Sequence, residues 1–338
     1  MTDKKTYEPQ QIEAIFNDFA AIGVAVLGDV MLDTYLWGRV DRISPEAPVP
    51  IVEIQNEEFR LGGAANVALN LAGLGADVHI FSVVGDDSFA DSLVDLLKQH
   101  HIGADHILTS PDRPTTCKTR IMARNQQVMR LDKESNSDLP EKLAADLLAN
   151  LEDFFIKAKP KLLILEDYNK GVLTPQVIKG AIDLAKKYEV ITAVDPKHRN
   201  FFLYQSVDIF KPNLGEIKAA LQIADLKQIN LDSLSSMHKG LFDRLGHVYS
   251  LFTLSEKGVF FEKNESPPQL LPAKIRSIAD VSGAGDTVIA VISLVFAITK
   301  DMTLAAELGN IAGGLVCEQV GTVAVDKQQL LSEALKHL

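Results

Sequence analysis

Short apolar runs alternate with stretches of helical spacing along most of the chain. Ile22–Leu27, Val78–Val84, Leu162–Leu165, Ile191–Val194, Val207–Phe210 and Tyr249–Leu254 are nearly continuous in apolar residues, as strands buried on both faces are. Between them, Gly63–Leu74, Ser88–His100, Leu139–Ile156, Pro175–Tyr188 and Leu214–Leu221 repeat apolar residues three and four apart. This alternation predicts an α/β fold, a mostly parallel sheet covered by helices on both faces. Ligands of such sheets bind beyond the carboxyl ends of the strands.

Two segments break the pattern. Residues 34–54 are extended, proline-punctuated and rich in Val and Ile, and residues 115–131 alternate polar with apolar positions. Both read as strands outside the main sheet, together a small β-lid over its active edge. Two ordinary hairpins would show the same pattern. An isolated hairpin is marginal in water, so a lid of this kind is expected to pair with another surface, in a homodimer.

The 338 residues are 46% hydrophobic and 23% charged, enough for a large core. A formal net charge of −11 argues against a nucleic-acid partner but leaves an anionic small substrate open. The two cysteines, Cys117 and Cys317, have no metal or redox spacing. No apolar signal region opens the chain, and its most apolar run, Val288–Ile298, is too short to span a bilayer. A cytoplasmic chain with no membrane partner is expected.

The candidate chemistry centres on Asp280-Val-Ser-Gly-Ala-Gly-Asp286-Thr287, just before that apolar run. A glycine turn opening a buried helix leaves backbone N–H groups at the positive end of the helix dipole, which attracts phosphate. Asp286 adds a carboxylate beside that anion site, as a base for an attacking hydroxyl would. An Asp in a first helical turn also serves simply as a cap. Asp29 and Asp33 close the first strand and suit sugar hydroxyls or a capped turn. Gly62, Gly63 and Asn66 open a helix of small residues, suiting close approach to a polyol or tight packing. Arg120, Arg124, Asn125, Gln126, Gln127 and Arg130 crowd the second lid segment, as a phosphate-reading cluster or a solvated hairpin face. Asn213 and Glu216, three apart, either organise hydrated Mg²⁺ or form a capping box. Thr253, Ser255 and Gly258 form a turn that faces a nucleotide or merely joins two strands.

Together these motifs resemble the ribokinase-like (PfkB) carbohydrate kinases over residues 28–325. Gly62-Gly63, Asn213-x-x-Glu216 and Gly283-Ala284-Gly285-Asp286 stand in that family's order. Gly28–Asp33, Arg42–Pro50, Arg124–Gln127, Asp167-Tyr-Asn-Lys170-Gly and Asp195-Pro-Lys197 resemble its heptose 7-phosphate kinase branch. The resemblance implies one ribokinase-like kinase domain over residues 1–338, a three-layer α/β/α sandwich with the lid at 34–54 and 115–131. It also implies ATP and Mg²⁺, with the anomeric hydroxyl of D-glycero-D-manno-heptose 7-phosphate as acceptor, on the route to ADP-heptose and lipopolysaccharide. Asp286 is then the base, and the N–H groups of Gly283, Ala284 and Gly285 stabilise phosphoryl charge. Asp33, Gly62, Gly63 and Asn66 hold the sugar; Arg120, Arg124, Asn125, Gln127, Asp167, Lys170 and Lys197 are the other substrate contacts. Asn213 and Glu216 position Mg²⁺ through water, and Thr253, Ser255, Gly258, Asn310 and Gly314 face the nucleotide. A monovalent cation beside the glycine turn is left open. Relatives often carry a fused nucleotidyltransferase; here the chain stops at Leu338, so a separate enzyme is expected downstream. The alternatives are a kinase of the same family for ribose, fructose or a hexose phosphate, and a silent sugar-phosphate-binding regulator. Three positions depart from the pattern: Glu166, where a small residue is usual, Ser282 for Thr, and His198 for Gly.

Overall fold

The computed structural model describes residues 7–123, 126–224, 228–274 and 278–338. Its strands are β1 (Gly23–Gly28), β2 (Val30–Ile43), β3 (Pro50–Gly63), β4 (Asp77–Gly85), β5 (Gly103–Ser110), β6 (Cys117–Ala123), β7 (Gln126–Lys133), β8 (Leu162–Glu166), β9 (Ile191–Asp195), β10 (Ile209–Phe210), β11 (Tyr249–Thr253), β12 (Val259–Lys263) and β13 (Gln269–Leu271). Its helices are α1 (Pro9–Asp18), α2 (Ala64–Leu74), α3 (Ser88–Gln99), α4 (Glu141–Ala158), α5 (Pro175–Lys187), α6 (Leu214–Ala220), α7 (Leu231–Leu245), α8 (Ala284–Thr299), α9 (Met302–Val316) and α10 (Lys327–His337).

The central sheet runs β13-β12-β11-β10-β9-β8-β1-β4-β5. From β5 to β11 all neighbours are parallel; β12 and β13 add an antiparallel edge. Alternation along β8 sends Leu162 and Ile164 into one core, with α2, α8 and α9, and Leu163 and Leu165 into the other, with α4, α5 and α7. The result is the expected α/β/α layering. In α8 every residue from Asp286 to Phe296 is buried, because the helix lies between the sheet and α9, so its apolar positions run all round instead of forming a stripe.

A second sheet, β3-β2-β6-β7, stands apart from the first. Residues of both expected lid segments lie in it, but the first hairpin is longer than expected, from Val30 to Gly63. Residues 53–57 of β3 are exposed, and Asn56, Glu57 and Glu58, beyond the expected 34–54 segment, pair with β2 as well. The expected strand at 207–210 is only two residues long. Sequence spacing also missed α7, whose surface is largely polar; Asn230 and Ser233 form a capping box at its start, and Gly246 closes it in the left-handed conformation. Among the described residues no helix is long and apolar enough to cross a membrane.

Candidate active site

Four parallel strands end at one level. Gly28 pairs with Glu166, Glu166 with Asp195, and the N–H of Lys211 donates to Val194. Side chains one register apart across a parallel sheet share a face. Glu166 and Asp195 therefore point the same way as Ile164 and Ala193, toward α8. A Cβ on Gly28 would strike the Glu166 carbonyl oxygen, so glycine is needed where these strands meet.

Gly283 precedes α8 in the left-handed conformation, φ 76°, and no side chain caps the helix. The turn before it is clamped by Asp280, which accepts from the Ser282 N–H and hydroxyl and from the Gly321 N–H. Asp286, in the first turn, is only 4% exposed. Its Oδ2 accepts from Asn66 Nδ2 at 2.8 Å and its Oδ1 from the Tyr168 hydroxyl at 2.7 Å. Burial pushes its carboxyl up to about 6; the two hydrogen bonds oppose that rise, and Asp195 adds to it. A base of that pKa is ionised at neutral pH yet retains proton affinity. Burial, then the charge of Asp286, raises Tyr168 well above the usual phenol range, so it remains a donor.

Asn66 comes from α2, held by Asn70, whose Nδ2 donates to the Asn66 carbonyl and whose Oδ1 accepts from Thr287 Oγ1. A Cβ on Gly283 would come within 2.6 Å of Asn66 Nδ2. Tyr168 is positioned by Asp29, whose carboxylate accepts from the backbone N–H groups of Tyr168, Lys170 and Val172. Of the two expectations for Asp29, this is the capped turn: its carboxylate holds a loop.

Lysines face the acidic end of the sheet. Lys211, 2% exposed, pairs with Asp195 at 2.7 Å. Lys197 pairs with Glu216 at 2.8 Å and lies 3.9 Å from Asp195. Burial alone would lower Lys197, but Asp195 and Glu216 together outweigh it and raise it. Asn213 and Glu216 form the capping box of α6, each side chain accepting from the other's backbone N–H. Their oxygens thus already have partners, so a nearby cation would meet them through water.

The other expected residues fall in three places. On the second sheet, Asp33 is buried against Arg120 at 2.5 Å, beneath Gly62, where a Cβ would come to 2.7 Å from Asp33 Oδ2. Gly63 ends β3 with φ 57°, and Gln127 lies exposed on β7; Arg124 and Asn125 lie outside the described residues. Below the site, Asp167 is engaged by the Tyr204 hydroxyl and the Asn169 N–H, and Lys170 by Glu134 and Asn136. Beyond the sheet's other half, Thr253 bridges to Asn213, Ser255 and Gly258 turn into β12 with positive φ, and Asn310 donates to the Pro272 carbonyl from α9, which also carries Gly314. Of the three expected phosphate-binding amides, that of Ala284 already donates to Val281 at 3.3 Å. The spacing missed Tyr168, Asp195 and Lys211 as site residues; their position at adjacent strand ends was the available signal. A cavity of about 520 Å³ lined by Glu58, Arg60, Leu69, Gly73, His100 and Thr322 lies behind β3, away from these groups.

Residues 21–329 match the model of the family described as pfkB family carbohydrate kinase. The bifunctional protein HldE of Pelobacter propionicus is 37% identical over 333 residues, covering 97% of this chain. The chain spans 66% of that relative's length, just under two thirds. Among solved structures, Arabidopsis thaliana ribokinase complexed with ribose and ATP superposes with a TM-score of 0.71, at 16% identity, over 94% of this chain and 99% of that one. Escherichia coli phosphofructokinase-2 in complex with potassium superposes with a TM-score of 0.74, at 17% identity, over 93% and 99%. These likenesses identify the ribokinase-like fold.

Proposed function

The chain belongs to the pfkB family of carbohydrate kinases, and we propose that its substrates are ATP and D-glycero-β-D-manno-heptose 7-phosphate, with transfer to the anomeric hydroxyl. The observation that carries the phosphoryl-transfer chemistry is Asp286: buried at an uncapped helix start, held at both oxygens, with its carboxyl near 6. The heptose assignment rests on the resemblance of the strand-end and lid motifs, and the HldE likeness supports it.

In this mechanism Asp286 takes the proton of the anomeric hydroxyl as its oxygen bonds to the γ-phosphorus. The bond to the β–γ bridging oxygen breaks, and ADP leaves with that electron pair. Amides at the start of α8 stabilise the charge on the transferring oxygens. Asn66 and Tyr168 hold the carboxylate, and Tyr168 keeps its own proton. Asp33 with Gly62 and Gly63 orients sugar hydroxyls, and Arg120 and Lys197 are the candidates for the existing phosphate. Mg²⁺ neutralises nucleotide phosphate charge when bound, with Asn213 and Glu216 holding it through water. A monovalent cation beside the Gly283 turn belongs to the same proposal, supported by the potassium complex of the structural neighbour.

The second sheet serves as a lid and dimer surface in this reading. All of β7 is exposed, and Ile43, Ile54, Val128, Met129 and Leu131 leave apolar area uncovered that a second copy would bury. Nucleotidyl transfer to the product is assigned to another domain or protein. The test is sugar-dependent ADP release across heptose 7-phosphate, unphosphorylated heptose, ribose and fructose 6-phosphate. Heptose 7-phosphate is expected to give the highest kcat/KM; a higher value for another sugar overturns the assignment, and no release with any overturns kinase activity.

A further inference from the structure

Arg60 of β3 stands directly opposite Asp33 of β2, and Tyr35 stands opposite Glu58 and in register with Arg120 of β6. Residues in register share one face of a sheet. On this face Asp33 pairs with Arg120, and Arg60 Nε with Glu58 at 2.6 Å. Both guanidinium groups lie against the Tyr35 ring, Arg60 at 4.8 Å and Arg120 at 5.2 Å from its centre. From here Arg60 Nη1 reaches the loop after α9, donating to the Val320 carbonyl at 2.7 Å and more weakly to that of Thr322 at 3.5 Å. The same loop holds the turn before α8 from its other side. Gly321, with φ 78°, donates its N–H to Asp280 Oδ2 at 2.9 Å, and the N–H groups of Ala279 and Asp280 donate to the Cys317 carbonyl. A Cβ on Gly321 would strike Arg60 Nη1 and the Tyr35 hydroxyl, and one on Gly283 would come to 3.2 Å from the Thr322 methyl. Gly321 is therefore gripped between Arg60 on the lid sheet and Asp280 of the turn.

We propose that Arg60 is a positioning residue that ties the sugar-holding face of the second sheet to the turn at the start of α8. It acts through Gly321 and Asp280, and so fixes where the amides of that turn stand relative to the transferring phosphoryl group. The effect on turnover rests on the kinase reading; the physical link does not. The role needs arginine: its planar fork keeps Nε on Glu58 while Nη1 holds the loop. A lysine ammonium, a point charge, cannot hold both at once in that geometry. Displacement of the turn by about 1 Å would cost turnover on the order of 10²-fold, because stabilisation of developing charge depends on donor placement.

The experiment reads backbone hydrogen exchange of the full, ligand-free chain by mass spectrometry, alongside steady-state kinetics. In Arg60→Ala, residues 279–283 and 320–322 should exchange about three- to tenfold faster than in the wild type, while β1 and β8 keep their wild-type rates. Arg39→Ala removes an exposed arginine of the same sheet, paired with Glu53, and should leave both segments unchanged. In turnover Arg60→Ala should lose roughly 10- to 100-fold in kcat with KM for the sugar unchanged. Guanidinium chloride far below denaturing concentration should restore part of that kcat in Arg60→Ala and none in the wild type. Wild-type exchange at both segments in Arg60→Ala overturns the proposal. So does acceleration spread evenly over the chain, which marks a general role in the fold, and so does a raised KM with kcat intact. If Arg60→Ala fails to fold, Arg60→Lys takes its place: it should show the same pattern in smaller degree, and wild-type behaviour overturns the proposal. Absence of ADP release by the wild type with every sugar sinks the kinase reading, whereas the exchange rates decide the link by themselves.

Discussion

Replacing Tyr168 by Phe tests how the carboxylate of Asp286 is tuned. The substitution removes one hydroxyl, 2.7 Å from Asp286 Oδ1, and keeps the ring that lies under Lys197. That hydroxyl donates to the ionised form, so its loss raises the Asp286 carboxyl. A hydrogen bond to a charged group contributes about 1.5–3 kcal/mol. At 1.36 kcal/mol per pH unit this moves the pKa up by about 1–2 units. The acid limb of kcat/KM, expected near the Asp286 value of about 6 in the wild type, should therefore shift to about 7–8 in the variant. At pH 7 the ionised fraction falls from about 90% to between about 10% and 50%, a roughly two- to ninefold loss that vanishes above about pH 9. The assay is a pH profile of sugar-dependent ADP release from pH 5 to 9.5, with a melting curve at each end. A limb that stays at its wild-type position, or a loss that is the same at every pH, refutes the reasoning: the hydroxyl would then not be tuning the base.

Asp286→Asn should lower kcat by 10²–10⁴-fold, as loss of a general base does; near-normal turnover would remove Asp286 from that role. The same variant should be more stable. A carboxyl raised from 3.8 to about 6 holds its proton more tightly in the folded chain. Its stability contribution is therefore intact below about pH 4 and lost as pH rises to 6, on the order of 3 kcal/mol in all. The variant's gain in Tm should be several degrees at pH 8 and disappear at pH 4; a lower Tm at pH 8 contradicts the burial argument. Arg120→Ala leaves Asp33, with a side chain only 4% exposed, without its partner, and should cost about 3–5 kcal/mol in urea unfolding. Adding Asp33→Asn should recover much of that loss; equal stability of the single and double variants would show that the pair is not coupled.

The periodic parts of the fold were legible because burial imposes them. The strands at 78–84, 162–165 and 191–194 and the helix over 175–188 appear within a residue or two of their expected bounds, since a two-sided parallel sheet demands unbroken apolar runs. The polar half of the lid hairpin was hidden for the opposite reason: with both faces of β3 in solvent, no alternation marks it. In the site, Asp286 was legible from its local setting, a glycine turn before a helix. Its two partners were not, because Asn66 and Tyr168 lie 220 and 118 residues away and meet it only through the packing of α2 and the Asp29-held loop. Asp167 and Lys170, expected at the substrate through the resemblance, have polar atoms engaged by Tyr204 and Asn169 and by Glu134 and Asn136.

The placement of charge at the sheet end shows why this region is built from such distant pieces. Asp29, Glu166 and Asp286 are all buried with raised carboxyls, so each costs the folded state stability at neutral pH. Structural need accounts for only one of them: Asp29 holds three backbone amides that no other group reaches. Asp286 is held by neutral donors, Asn66 and Tyr168, and not by a lysine. That choice matters chemically, because a direct ion pair would depress the carboxyl and leave a poor base. Lys211 is instead turned onto Asp195, next to Asp286 but bonded elsewhere. The neutral pair of donors orients the carboxylate while burial keeps its proton affinity high. A neutral donor pair and a diverted lysine are what a proton acceptor requires, whereas a helix cap would be served by Asp286 alone.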